Sequence, residues 1–236
     1  LAGHLEKLMR GKKKSVLVVG LGNRDVTPDA LGPYVVKNVR ITRHLLKEYG
    51  TSWMKEKEAA SVSGVIPGVM AQTGMETLEI IRGVVKESSP DLILVVDALA
   101  ARSTRRLGRT IQLTDTGIHP GSGVGNYRSG INRQTLGIPV IAIGVPTVVD
   151  AATIVSDTME SLVETMDATE HMQNLGGVLG TLNRVEKHQM LTELISPQLN
   201  TMFVTPKDVD ETVKRISYTI SEGINLALLG PPEKEA

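Results

Sequence analysis

Two aspartates stand where an open α/β sheet would place catalytic acids. Asp29 follows the apolar run 16–19 and the turn Gly20-Leu21-Gly22-Asn23, and Asp97 directly follows the apolar run 92–96. If both runs are parallel strands, both acids reach the carboxyl edge of one sheet, where ligands bind in such folds. Two carboxylates in one cleft have their pKa values pushed apart, so that one stays charged and the other keeps a proton. That is the equipment of an acid–base pair acting on water. Asn23, in the loop that leads to Asp29, is a supporting candidate. His119 lies in a glycine-rich loop, 115–130, and with the two acids could complete a two-carboxylate, one-imidazole metal site. The plainer alternative makes Asp29 a first-turn helix acid with Thr27 as cap, and Asp97 a strand-end turn residue.

Other chemistries fit less well. Gly20-x-Gly22 after a strand suggests a dinucleotide site, but the third glycine of that fingerprint falls on Asp25, an acid that would face a pyrophosphate. No serine has a Gly-x-Ser-x-Gly context, and the chain has no cysteine, which removes thiol catalysis and thiolate metal sites. Arg102 and Arg128 are close in sequence to the candidate loops, and guanidinium groups suit carboxylate recognition. Lysine plus arginine equals aspartate plus glutamate at 26 each, so no net charge gathers polyanions or anionic lipid. Aromatic residues make up 3%, too few for base-stacking platforms. No apolar run approaches the roughly 18 residues of a spanning helix. The expectation is no nucleic-acid partner and no membrane partner.

The elements that must position these residues are readable in outline. Continuous apolar runs predict buried strands over 16–19, 92–96 and 140–145, with a further strand at 61–66 and a weak edge or antiparallel one at 109–114. Helical spacing predicts helices over 34–47, after a cap at Thr73 with Met75, Leu78, Ile81 and Val85 on one face, and after Asp150 with Val155, Met159 and Leu162. Thr205-Pro206-Lys207-Asp208 predicts a last helix with proline at its first position. The alternation implies an α/β fold: one domain over 1–236, a three-layer αβα sandwich around a mostly parallel sheet. Residues 165–200 are the least regular and fit an insertion.

Long motifs at these same positions resemble the germination proteases of spore-forming bacteria. They are Thr27-Pro28-Asp29-Ala30-Leu31-Gly32-Pro33, Pro67-Gly68-Val69-Met70-Ala71-Gln72-Thr73-Gly74-Met75-Glu76, Val95-Val96-Asp97-Ala98-Leu99-Ala100-Ala101-Arg102, Asp115-Thr116-Gly117-Ile118-His119-Pro120-Gly121 and Ile141-Ala142-Ile143-Gly144-Val145-Pro146-Thr147. The resemblance implies an endopeptidase that degrades small acid-soluble spore proteins in the spore-core cytoplasm. It also implies a zymogen origin, a homotetramer, no cofactor, and a fold similar to the hydrogenase maturation proteases. On that similarity Asp29 and Asp97 match two acids and His119 matches more loosely. Arg102 and Arg128 become expected substrate-binding residues. A metal-dependent maturation-type peptidase using Asp29, Asp97 and His119, and a non-enzymatic nucleotide-binding module using Gly20 and Gly22, are the alternatives. The start at Leu1 fits a trimmed product, and the stretch 49–60 looks short for this family.

Overall fold

The computed structural model describes residues 1–11, 15–50, 60–125, 128–167, 186 and 201–231. The expectations for an insertion within 165–200 and for the stretch 49–60 fall largely outside those residues. In chain order the elements are α1 (Ala2–Met9), β1 (Ser15–Gly20), α2 (Leu31–Asn38), α3 (Arg43–Tyr49), β2 (Ser61–Val65), α4 (Met70–Thr73), α5 (Thr77–Ser88) and β3 (Leu92–Ala101). They continue with β4 (Gln112–Thr114), α6 (Arg133–Leu136), β5 (Val140–Asp150), α7 (Ala151–Asp167), β6 (Phe203–Val204) and a last helix, α8 (Val209–Leu229). The chain divides into two compact units, one of Leu1–Leu99, Ile111–Val145 and Asp208–Ala236, the other of Ala100–Thr110 and Pro146–Lys207.

The first unit is built on a sheet of order β2-β1-β3-β5-β4. Parallel pairing sets Val16 beside Leu92 and Gly20 beside Val96, so β1 and β3 point the same way. β2 runs parallel on the other side of β1, and β4 closes the far edge antiparallel to β5. The sheet is apolar on both faces because its central strands are unbroken apolar runs, and successive side chains alternate between faces. Val16, Val18, Leu92, Leu94, Ile141 and Ile143 pack with Leu5 of α1, Val35 of α2 and Ile220 and Ile224 of α8. Leu17, Val19, Ile93 and Val95 pack with Leu78 and Ile81 of α5 on the opposite face. The expected three layers and mostly parallel sheet are thus present, with the predicted strands at the centre.

Some boundaries differ for identifiable reasons. The helix expected over 34–47 is two helices, because Val39 turns to extended backbone and the segment after it serves the sheet edge. There Thr42 donates its N–H to Val62 O, and its hydroxyl donates to Ala60 O and accepts from Val62 N–H. These bonds blunt an otherwise unpaired edge. The helix expected from Thr73 starts at Thr77, with Glu76 and Glu79 forming the capping box, and Met75 is exposed. Pro206 precedes α8 rather than opening it, since Asp208 is the cap position.

The second unit holds α7 and the short β6, which pairs antiparallel with the end of β5. Asp150 accepts from the Thr153 N–H at 2.6 Å, as a helix cap does. Among the described residues of α7, Ala152, Thr153 and Ser156 are buried, whereas Leu162 of the expected apolar stripe is 57% exposed. Asp157 accepts from the hydroxyls of Ser103 and Thr104 and from the Thr104 N–H, fixing the turn that follows β3.

Candidate active site

The site begins where β1 ends. Leu21 N–H, just past the end of β1, still bonds Val96 O at 2.8 Å, while β3 runs on beyond it to Ala101. Asp97 is therefore one residue past the last β1–β3 pair, within β3 and not at its end as the apolar run suggested. Strand alternation puts it on the face of Ile93 and Val95, and it is 6% exposed. Among the described residues its hydrogen bond is from its own neighbour, Ala98 N–H to Oδ1 at 3.0 Å.

Asp29 is brought over the same strand ends by unusually close backbone approach. A Cβ on Gly32 would collide with Leu21 and the Val96 carbonyl, and one on Gly20 would collide with the Gly32 carbonyl. The first turn of α2 thus rests directly on the ends of β1 and β3. Gly22, with φ 108, lets the chain turn back, and a Cβ there would strike the Asp29 carbonyl. Thr27 is not the cap that the sequence suggested: residues Thr27–Asp29 form a short 3-10 turn with Val26 at the cap position. The Asp29 carboxylate instead folds back onto the loop, where Oδ2 accepts the Asn23 N–H at 2.6 Å.

The charge of Asp29 acts on Asp97. Burial pushes the Asp97 carboxyl up to about 7, the nearby charge of Asp29 adds to the rise, and the Ala98 N–H offsets part of it. Burial also raises Asp29, and the Asn23 N–H pulls it part of the way back. Asp97 therefore keeps its proton more readily, while Asp29 has the hydrogen bond that favours the ionised form.

The remaining candidates take different places. Asn23 is on Asp29 through its backbone, and its side-chain oxygen accepts the Asp25 N–H at 3.0 Å. Gln72, whose type alone drew no notice, reaches this loop and donates to Asn23 Oδ1 at 3.3 Å. It sits inside one of the resemblance motifs, the one signal that could have drawn attention to it. His119 packs its ring against Gly130, where a Cβ would stand 2.9 Å from Nδ1. Among the described residues it has no hydrogen bond to either acid, and no three His, Asp or Glu side chains group as a metal site would require. Arg128 is in the first unit with its guanidinium 3.3 Å from Met70 Sδ. Arg102 is an exposed residue of the second unit. The glycines behind the nucleotide alternative are used by the chain itself: the Asn23 N–H, a natural phosphate donor, is already bonded to Asp29.

Comparison with known proteins agrees with the motif reading. The family model for the germination protease matches residues 1–168 and 162–235. A germination protease of Caldanaerobacter subterraneus subsp. tengcongensis is 52% identical over 238 residues, covering 100% of this chain and 73% of the relative. That of Clostridium tetani is 50% identical, covering 91% of this chain and 66% of the relative. That of Bacillus subtilis is 44% identical, covering 95% and 69%. Among solved structures, a NiFe hydrogenase maturation protease HycI from Thermococcus kodakarensis KOD1 is similar over 94% of this chain and 99% of that chain, at 16% identity and a TM-score of 0.42. No described helix is long and apolar enough to cross a membrane. With a family model spanning nearly its whole length and relatives at about half identity, the chain belongs to the germination protease family, whose members are peptidases.

Proposed function

We propose that this protease degrades small acid-soluble spore proteins during germination, by water that Asp29 and Asp97 activate together. The observation that carries the reading is the unequal pair: Asp97 buried beside the charge of Asp29, and Asp29 holding the Asn23 N–H. Asp29, ionised, takes a proton from the water as it attacks the peptide carbonyl. Asp97, protonated, donates to the carbonyl oxygen; as the tetrahedral diol collapses and the C–N bond breaks, Asp97 takes that proton back and Asp29 passes the proton from water to the leaving amine, so the pair ends as it began. Arg102 and Arg128 fit recognition of carboxylates on an extended substrate. Assembly as a homotetramer, synthesis as a zymogen and residence in the spore core belong to the same proposal and rest on the family resemblance.

The test is cleavage of a purified small acid-soluble spore protein by wild type, Asp29→Asn and Asp97→Asn, each with and without chelator. The reading expects wild-type activity that survives chelation and is lost in both variants. Activity abolished by chelator and restored by a divalent metal would replace it with a metal-dependent mechanism.

A further inference from the structure

The motif Pro67-Gly68-Val69-Met70-Ala71-Gln72-Thr73-Gly74-Met75-Glu76 has no part in the acid pair, yet it enters the site through one side chain. The Gln72 amide nitrogen donates to Asn23 Oδ1 at 3.3 Å and to Asp25 Oδ2 at 3.4 Å. Those two acceptors belong to one tight loop, itself closed by the Asp25 N–H on Asn23 Oδ1. The same loop supplies the Asn23 N–H that bonds Asp29. A single amide thus ties α4 to the loop that holds the acid.

The local sequence is arranged to place that amide. Gly68, with φ 72, lets the chain after β2 turn into α4, and a Cβ on it would stand 3.2 Å from Gln72 Oε1. Gly74, with φ 70, ends α4 immediately after Thr73, whose hydroxyl lies 3.2 Å from the Met75 carbonyl oxygen and 3.2 Å from the Met75 nitrogen. An amide suits this position: its two N–H donors meet one amide oxygen and one carboxylate. A carboxylate there would face Asp25 and Asn23 Oδ1 with acceptors alone.

We infer that Gln72 is a positioning residue, which holds the Asn23 loop so that the Asn23 N–H stays on the Asp29 carboxylate. The inference rests on the reading of Asp29 as the base. Of the charged groups near this loop, Asp97 of β3 feels the charge of Asp29, and Asp25 is held to Asn23 by its own N–H.

The experiment measures kcat, KM and their pH profiles on a spore protein for wild type, Gln72→Ala, Gln72→Glu, Asp29→Asn and the double variant Asp29→Asn/Gln72→Ala, with melting curves for each. Weakening a hydrogen bond to a charged group should lower kcat about tenfold in Gln72→Ala and move the acid limb of the profile upward, with KM within about twofold. Gln72→Glu should lose more near neutral pH and recover as the new carboxyl is protonated. In the Asp29→Asn background, Gln72→Ala should cost nothing further, because the two residues act through one interaction. The inference is overturned by an unmoved acid limb, by a rise in KM with kcat unchanged, or by an equal loss in both backgrounds. If Asp29→Asn keeps full activity, the base assignment and this inference fall together. An inactive Asp29→Asn beside a wild-type-like Gln72→Ala removes only the inference. If Gln72→Ala does not fold, Gln72→Glu at low and neutral pH carries the same decision.

Discussion

The two ends of β3 treat an aspartate in opposite ways. At the amino end Asp91 is exposed and accepts the Ser15 N–H at 2.9 Å, while its own N–H bonds Ser15 O at 2.8 Å. The two residues exchange hydrogen bonds at the start of neighbouring strands and help fix their register. Toward the carboxyl end Asp97 is buried, accepts the next residue's N–H, and lies near another carboxylate. A carboxylate at a folding staple stabilises the chain, whereas a carboxylate buried near its own kind opposes folding and persists for another reason. Asp150 and Asp157 of the second unit resemble Asp91, each saturated by hydroxyl and N–H donors.

The largest effect that sharpens this contrast is on rate. Asp29→Asn and Asp97→Asn should each lose at least about 100-fold in kcat with the fold intact. The double variant should lose little more than either single one, as the proposed joint action of the two acids requires. Single-turnover cleavage of a spore protein measures all three. The kcat/KM profile of the wild type should fall on its alkaline side near the value of about 7 toward which Asp97 is pushed, as the proton donor is lost.

Stability should show the contrast next, with a definite sign. Burial and the charge of Asp29 push the Asp97 carboxyl from its ordinary 3.8 up to about 7 in the folded chain. Between those values the folded state holds a proton that the unfolded state has released, so stability falls as pH rises through the window and then levels off. Asp97→Asn removes that fall. In urea melts the variant should match wild type near pH 4 and exceed it above pH 7 by on the order of a few kcal/mol. A variant less stable than wild type at pH 8 would place Asp97 with the structural carboxylates.

A smaller effect tests how Asp29 is delivered. Gly22→Ala puts a side chain at φ 108 and against the Asp29 carbonyl. The cost to stability should be about 1–3 kcal/mol, and activity should fall beyond what that loss explains, since Asp29 is displaced from the Asn23 N–H. Melting curves and kcat measured on the same samples separate the two.

The central strands were readable because they are unbroken apolar runs whose alternate residues are buried on both faces. Asp29 and Asp97 were readable because their order along the chain, combined with parallel strands, fixes which sheet edge they share. The break at Val39 was not readable, since it answers to the hydrogen-bonding needs of β2, a strand about 20 residues further on. The true partner of Asp29 was hidden for a similar reason. A backbone N–H carries no residue-type signal, and Asn23 serves through its main chain. Gln72 belongs to the same class: only the fold shows that a residue 49 positions away holds that loop. His119 illustrates the reverse, a suggestive type in a suggestive loop whose observed neighbour is the Gly130 backbone.

The smallest expected effect comes from the amino end of β3. Asp91→Ala deletes the acceptor of the Ser15 N–H, a bond on an exposed carboxylate whose donor can turn to water. The strand register does not depend on it alone, because β1 and β3 remain paired from Val16–Leu92 to Gly20–Val96. The loss should therefore be small, about 1 kcal/mol, the scale of hydrogen bonding at an exposed group. It should be measurable in urea melts at pH 8, the condition where Asp97→Asn moves stability the other way. Cleavage of a spore protein should be unchanged within about twofold, because the substitution reaches the site only through a strand that stays paired. A large loss of activity in Asp91→Ala would mean that the two ends of β3 are coupled, and that the division between staple and acid pair is drawn in the wrong place.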